Sequence, residues 1–154
     1  MRSRWPRRLL AYLLAVLIAA AWASIVQTQF NLAALEQLGA AVPSALRWQT
    51  TAQDLIGFAP IFAIIAAVAL ALAFPLAALV ARSSFAARHL WFALAGWIGL
   101  MIAIRSVDAL VPPPVLIAAT RSTLGLLAVT LGGVVAGLAY IRIAKTRPRG
   151  IPSS

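Results

Sequence analysis

The residues of this 154-residue chain best able to do chemistry are two arginines and two aspartates at the ends of apolar runs: Arg105, Arg121, Asp54 and Asp108. An ionisable side chain beside hydrocarbon is costly, so one that persists there pairs with another or lines a polar cavity. Arg105 and Asp108 are three residues apart and can meet on one helical face, while Asp54 and Arg121 precede two further apolar runs at the same depth. The four are expected to form a neutral network. Gln27, Thr28, Gln29, Gln53, Ser106, Thr120, Ser122 and Thr123 add donors and acceptors at that level, with Gln29 and Ser122 counted in the site. A guanidinium gives bidentate hydrogen bonds to phosphate or carboxylate and keeps its charge at any relevant pH. Arg105 and Arg121 are therefore the expected ligands of an anionic or polar headgroup, oriented by Asp54 and Asp108. In the competing reading the same residues only cap helices and neutralise one another.

Catalysis by this set is not expected. Acid–base chemistry needs a base tuned near neutral pH and covalent catalysis needs an activated Ser, Cys or Lys, and no such constellation is evident. Ser122 has no visible general base, and His89, beside Arg88 on the opposite side, reads as an interfacial residue. Zero cysteines and one histidine exclude thiolate metal sites, disulfide exchange and haem held by two imidazoles, so no metal or cofactor is expected.

The elements that must position these residues follow from composition. With 63% hydrophobic and 10% charged residues, the sequence is that of an all-α, polytopic membrane protein, a bundle of four transmembrane helices with both termini cytoplasmic. Spans are expected at about 9–27, 55–81, 89–110 and 121–143 in a single membrane domain covering 1–154. Pro60 and Pro75 predict tilt or kinks in the second span, and Pro112-Pro113-Pro114 stops the third. Ala21-Trp22-Ala23 resembles a signal-peptidase site, but the apolar run continues past it and three more spans follow, so a retained signal anchor is the simpler expectation.

Charge sets the orientation. The N-terminal flank carries Arg2, Arg4, Arg7 and Arg8, the second connection Arg82 and Arg88, and the C-terminal flank Arg142, Lys145, Arg147 and Arg149, ten of thirteen basic residues on one side. The other side holds Arg47, Arg105 and Arg121 with all three acidic residues, Glu36, Asp54 and Asp108. Trp5, Trp91 and Tyr140 are expected in the inner headgroup layer, Trp22 and Trp48 in the outer. The net charge of +10 flanks apolar spans instead of forming a patch with interleaved aromatics, so nucleic acid is not an expected partner and the lipid bilayer is.

The long outer connection, 28–54, is expected to hold short interfacial helices, one capped by Asn31 and stopped by Gly39, another started at Pro43-Ser44. It either lies passively on the bilayer or covers the bundle. Alanine supplies 34 of the 154 residues, and Gly133-x-x-x-Gly137 in the last span, with Ala95 and Gly99 in the third, permits close helix packing within the monomer or, alternatively, along a homodimer seam.

Three segments together resemble an uncharacterised family of small bacterial four-helix inner-membrane proteins. They are Thr28-Gln29-Phe30 through Leu38-Gly39, Asp54-Leu55-x-Gly57-x-Ala59-Pro60, and Ala119-x-Arg121-Ser122-x-x-Gly125-Leu126, with Gln27 standing where the resemblance leads one to expect a histidine. The resemblance implies four spans in a bacterial inner membrane and carries no activity. The expected function is a non-enzymatic accessory or binding protein that holds a lipid, another hydrophobic molecule or a membrane-protein subunit. The alternative is a small dimeric transporter coupled through a carboxylate. Exporters of the small multidrug-resistance kind carry an embedded glutamate in their first span, and this first span has no acidic residue.

Overall fold

The computed structural model describes residues 5–82, 87–110 and 118–144. The proline stop at 112–114 and the flanking Arg2, Arg4, Lys145, Arg147 and Arg149 lie outside them. The order is α1 (Trp5–Gln37), α2 (Ser44–Gly57), α3 (Ala59–Val80), α4 (Arg88–Leu110), a 3-10 turn (Ala118–Arg121) and α5 (Thr123–Ala144). α1, α3, α4 and α5 are long and apolar enough to cross a membrane, making the chain an all-α bundle of the multi-pass membrane type.

On α1, size and not polarity separates the inner face from the outer, where Leu9, Leu10, Leu13 and Leu17 are exposed. Ala11, Ala15, Ala19 and Ala23 recur every four residues along α1 and are wholly buried. On α3, Phe62, Ala66, Leu70, Ala73 and Ala77 face inward, while Ile61, Ile64, Val68, Leu72 and Leu76 are each 55 to 68% exposed. Apolar exposure on that scale suits lipid rather than water. α5 is the most buried span, and its glycines bring α4 within backbone contact. A Cβ at Gly133 would overlap the carbonyl oxygen of Gly96, one at Gly96 would overlap that of Gly133, and one at Gly137 would overlap that of Phe92. The Gly133 and Gly137 strip is thus spent on contacts inside the chain.

Two indoles clamp α5 from opposite sides. Trp22 of α1 lies on Gly132, where a Cβ would come within 2.8 Å of the ring, and donates its N–H to the Ala128 carbonyl at 2.9 Å. Trp97 of α4 donates to Thr130 Oγ1 at 3.0 Å, and that hydroxyl in turn donates to the Leu126 carbonyl at 2.9 Å. Trp22, expected only as an interfacial residue, packs against α5 as well: Gly132 leaves room for its ring and a backbone carbonyl accepts its N–H.

The antiparallel register of α1 and α5 gives the bundle's height. The Arg7 side chain bonds the Ile143 carbonyl, Trp22 the Ala128 carbonyl, and Gln27 the Ala119 amide. From Arg7 to Gln27 is about 30 Å of helix, the thickness of a hydrocarbon core. α1 does not stop there. It continues unbroken to Gln37, so Asn31 starts no separate helix: nothing between Gln27 and Leu38 breaks one, and α2 supplies partners for the polar side chains. Gly39 does end it, with φ +86°, a conformation open to glycine. α2 returns antiparallel beside this extension and passes through Phe58 into α3, where Pro60 occupies the first turn and forfeits no helical hydrogen bond. Leu55, Ile56 and Gly57 belong to α2, and the expected outer loop is a helical hairpin rising about 15 Å beyond the level of Gln27.

Candidate functional site

The polar residues meet at the end of the bundle that carries the acidic side chains, and they are joined mainly along the α1–α2 hairpin. Arg47 donates from Nη2 to Glu36 Oε1 at 2.7 Å and from Nη1 to Gln29 Oε1 at 2.8 Å. Gln29 Nε2 donates to Thr51 Oγ1 at 3.2 Å, and Thr51 Oγ1 donates to the Arg47 carbonyl at 2.7 Å. Next to Gln29 on α1, and facing the α2 turn after Thr51, the wholly buried Thr28 hydroxyl lies 2.6 Å from Asp54 Oδ2 and 2.8 Å from the Ser24 carbonyl, so its single proton serves one acceptor at a time. α2 thus turns Arg47, Thr51 and Asp54 toward α1, while Trp48, Ala52 and Ile56 are exposed, Trp48 by 76% and Ile56 by 79%.

The expected network of two arginines and two aspartates does not assemble among the described residues, where the ion pair is Arg47–Glu36. Asp54 is engaged by Thr28. Asp108 accepts from Thr120 at 3.3 Å through Oδ2, while its buried Oδ1 has no hydrogen bond among the described residues. Arg105 and Arg121 are both exposed. A hydroxyl within the same pair of helices outcompetes a guanidinium that gains more by staying hydrated or reaching headgroups. Ser122 is the N-cap of α5, its Oγ accepting the Gly125 N–H at 3.0 Å. Gln29 is a member of the hairpin bridge. Among the described residues no three His, Cys, Asp or Glu side chains group closely enough to hold a metal ion.

Ser106, the residue after Arg105, lines a lateral groove of about 650 Å³ between α3 and α4. Its floor is built from small residues, Ala69, Ala73, Ala95 and Gly99, and its rims from Ile64, Val68, Leu72 and Ile98. Gly99 lets the helices close underneath, since a Cβ there would meet that of Ala73 at 2.9 Å. Ser106 is the polar side chain of the lining and marks the groove's acidic end. Arg105 follows Ile98 and Ile102 along one rim by helical spacing, and its neighbour Ser106 lies in the groove mouth. Because Gly96 abuts Gly133, Arg105, about two and a half turns further along α4, is level with Leu124 in the first turn of antiparallel α5. A long basic side chain at that depth can carry its charge into the headgroup layer.

Sequence reasoning found the end of the molecule where polar groups gather but missed both indole clamps and the Thr28–Asp54 contact. The signal for Thr28 was present, a hydroxyl four residues after Ser24 in a helix about to leave the hydrocarbon, though its partner depends on the hairpin register. Comparison of the chain with family models, with curated protein sequences and with solved structures returns no match.

Proposed function

We propose that this chain is a non-enzymatic binding protein of the bacterial inner membrane, with its basic end in the cytoplasm, that holds an amphiphile with an anionic headgroup in the groove between α3 and α4. The observation that carries this reading is the groove itself: an open apolar trough with a floor of small residues and Ser106 in its mouth, beside which Arg105 is placed by helical spacing at headgroup depth. An acyl or other hydrocarbon chain would follow the trough from Leu76 to Ile64, about 18 Å of helix, and its phosphate or carboxylate would be met by Arg105, with Ser106 donating alongside. Arg121 lies in the 3-10 turn before α5, off the two helices that form the groove, and has no part in this site.

Coupling of transport to a carboxylate finds less support. Asp54 is engaged by Thr28 in the α1–α2 bridge, and Asp108 is tied to Thr120 beside the α5 cap. The test is native mass spectrometry of the chain extracted from its own membranes in mild detergent. A stoichiometric adduct is expected, lost in Arg105→Gln and in Ser106→Trp, which fills the exposed groove mouth while preserving the charge. A chain with no adduct, or an adduct indifferent to both substitutions, overturns the reading.

A further inference from the structure

The opposite end of the bundle carries a second cleft with a different electrostatic setting. Arg7, Arg8, Arg82, Arg88 and Arg142 all lie there, while the three acidic residues of the chain are at the other end, so no side-chain carboxylate neutralises them. The cleft, about 440 Å³, opens between the first turns of α1 and the latter half of α3. Leu9, Tyr12, Phe74, Pro75 and Tyr140 form its walls and Arg8 stands at its mouth.

These walls are fixed. The Tyr12 hydroxyl donates to the Ala67 carbonyl at 2.5 Å, which holds its ring against α3. Phe74 and Tyr140 pack with ring centroids 4.6 Å apart, and Phe92 closes behind them at 5.6 Å from Phe74 and 5.3 Å from Tyr140. Arg7 is committed to the end of α5, its Nε donating to the Ile143 carbonyl at 2.7 Å. Arg8, one residue on, is exposed and belongs to the cleft lining.

From this geometry we infer that the α1–α3 cleft is a site for one anionic phospholipid of the leaflet at the basic end, with an acyl chain against Leu9, Tyr12 and Phe74 and the phosphate on Arg8. Charge complementarity selects the occupant: an apolar trough alone accepts any lipid chain, whereas a trough opening on uncompensated arginines favours an acidic headgroup. The site differs from the diffuse attraction of any basic flank for an acidic bilayer, because it predicts a preference lodged in one side chain and one volume. It is also independent of the α3–α4 groove, which lies at other residues and carries its arginine at the other end.

The test uses the full chain in detergent with equal amounts of phosphatidylglycerol and phosphatidylcholine, read by native mass spectrometry. Preferential retention of one phosphatidylglycerol is expected, and Arg8→Gln should lower the anionic-to-zwitterionic ratio about fivefold. Ala71→Trp fills the cleft from its exposed rim without changing a charge, and should reduce the retained lipids by one. Arg82→Gln, the same charge change outside the cleft, should leave the ratio unaltered, and Arg105→Gln, whatever it removes from the α3–α4 groove, should leave the effect of Arg8→Gln on the ratio in place. Equal retention of the two lipids by the unaltered chain overturns the inference, as does an Arg82→Gln effect as large as that of Arg8→Gln, since either result leaves only diffuse attraction. Loss of the Arg105-dependent adduct with the Arg8-dependent preference intact would separate failure of the groove from failure of this cleft.

Discussion

Backbone meets backbone where α5 crosses α4, whereas α2 is joined to α1 through side chains. In the first region Gly96, Gly133 and Gly137 lack the Cβ that would hold the helices apart, and the Trp97 N–H is taken up by Thr130, whose hydroxyl donates to the Leu126 carbonyl. In the second, Arg47, Gln29, Thr51, Glu36, Thr28 and Asp54 bridge the helices, and exposed apolar side chains remain on the outside. The contrast follows from solvent. Lipid offers no hydrophobic gain for bringing two apolar helices together, so association rests on close contact and dispersion, which small residues permit. Beyond the hydrocarbon, water competes for every polar group, and side-chain bridges are individually weak but specific.

The largest effect should come from lengthening a side chain in the backbone seam. Gly133→Leu places a branched side chain where a Cβ alone already overlaps the Gly96 carbonyl, and neither backbone can step aside without opening the α4–α5 interface. A loss of about 3 kcal/mol or more is expected, read by SDS-induced or thermal unfolding in mild detergent. Unchanged stability would show that the helices do not approach as closely as the glycines allow, and the contrast between the two regions would collapse.

Next comes the buried hydroxyl at the border of the two regions. Thr28→Val keeps the volume but removes the donor facing Asp54 Oδ2, leaving a carboxylate oxygen without its nearest partner. The expected cost is about 1–3 kcal/mol, concentrated locally. Hydrogen exchange should quicken over α2, Ser44–Gly57, while α5 stays protected. Uniform acceleration across both would mean that the hairpin and the bundle are one cooperative unit.

Trp22→Phe sharpens the same boundary from the bundle side. It retains the ring on Gly132 and deletes the N–H that reaches the Ala128 carbonyl. About 0.5–1 kcal/mol is expected, the usual value of one interhelical hydrogen bond inside a membrane protein. An effect as large as that of Gly133→Leu would mean that the indole bond, rather than close packing, holds α1 to α5.

Much of the fold was legible in the sequence, for reasons that also explain what was not. Four apolar runs separated by charge and proline reveal four crossing helices, because few other structures satisfy the backbone in hydrocarbon. Which face turns inward was not readable from hydropathy, as Leu72 and Leu70 are equally apolar although one is exposed and the other buried. The size pattern of Ala11, Ala15, Ala19 and Ala23 carries that information instead. The packing of Trp22 on α5 was not readable either, since it depends on Gly132, more than a hundred residues away. The polar cluster was placed at the correct end, but its pairing was not: Arg105 and Asp108 share a helix spacing that permits contact, while Arg47 and Glu36 meet only after Gly39 folds the chain back. Pairings across a hairpin require its register, which no local spacing supplies.

The smallest expected effect tests the ion pair that sequence spacing did not suggest. Arg47 and Glu36 approach to 2.7 Å, yet their side chains are 34% and 43% exposed, so water and salt screen most of the attraction. Glu36→Gln should therefore cost no more than about 0.5 kcal/mol, and the difference from the unaltered chain should vanish in high salt. Arg47 keeps its Nη1 bond to Gln29 in that variant, so α2 should stay docked, with hydrogen exchange over Ser44–Gly57 little changed. Exchange as fast as in Thr28→Val would place the stability of the hairpin at its outer tip. Slow exchange would place it at the Thr28–Asp54 level, where the two helices enter the bundle and water reaches least.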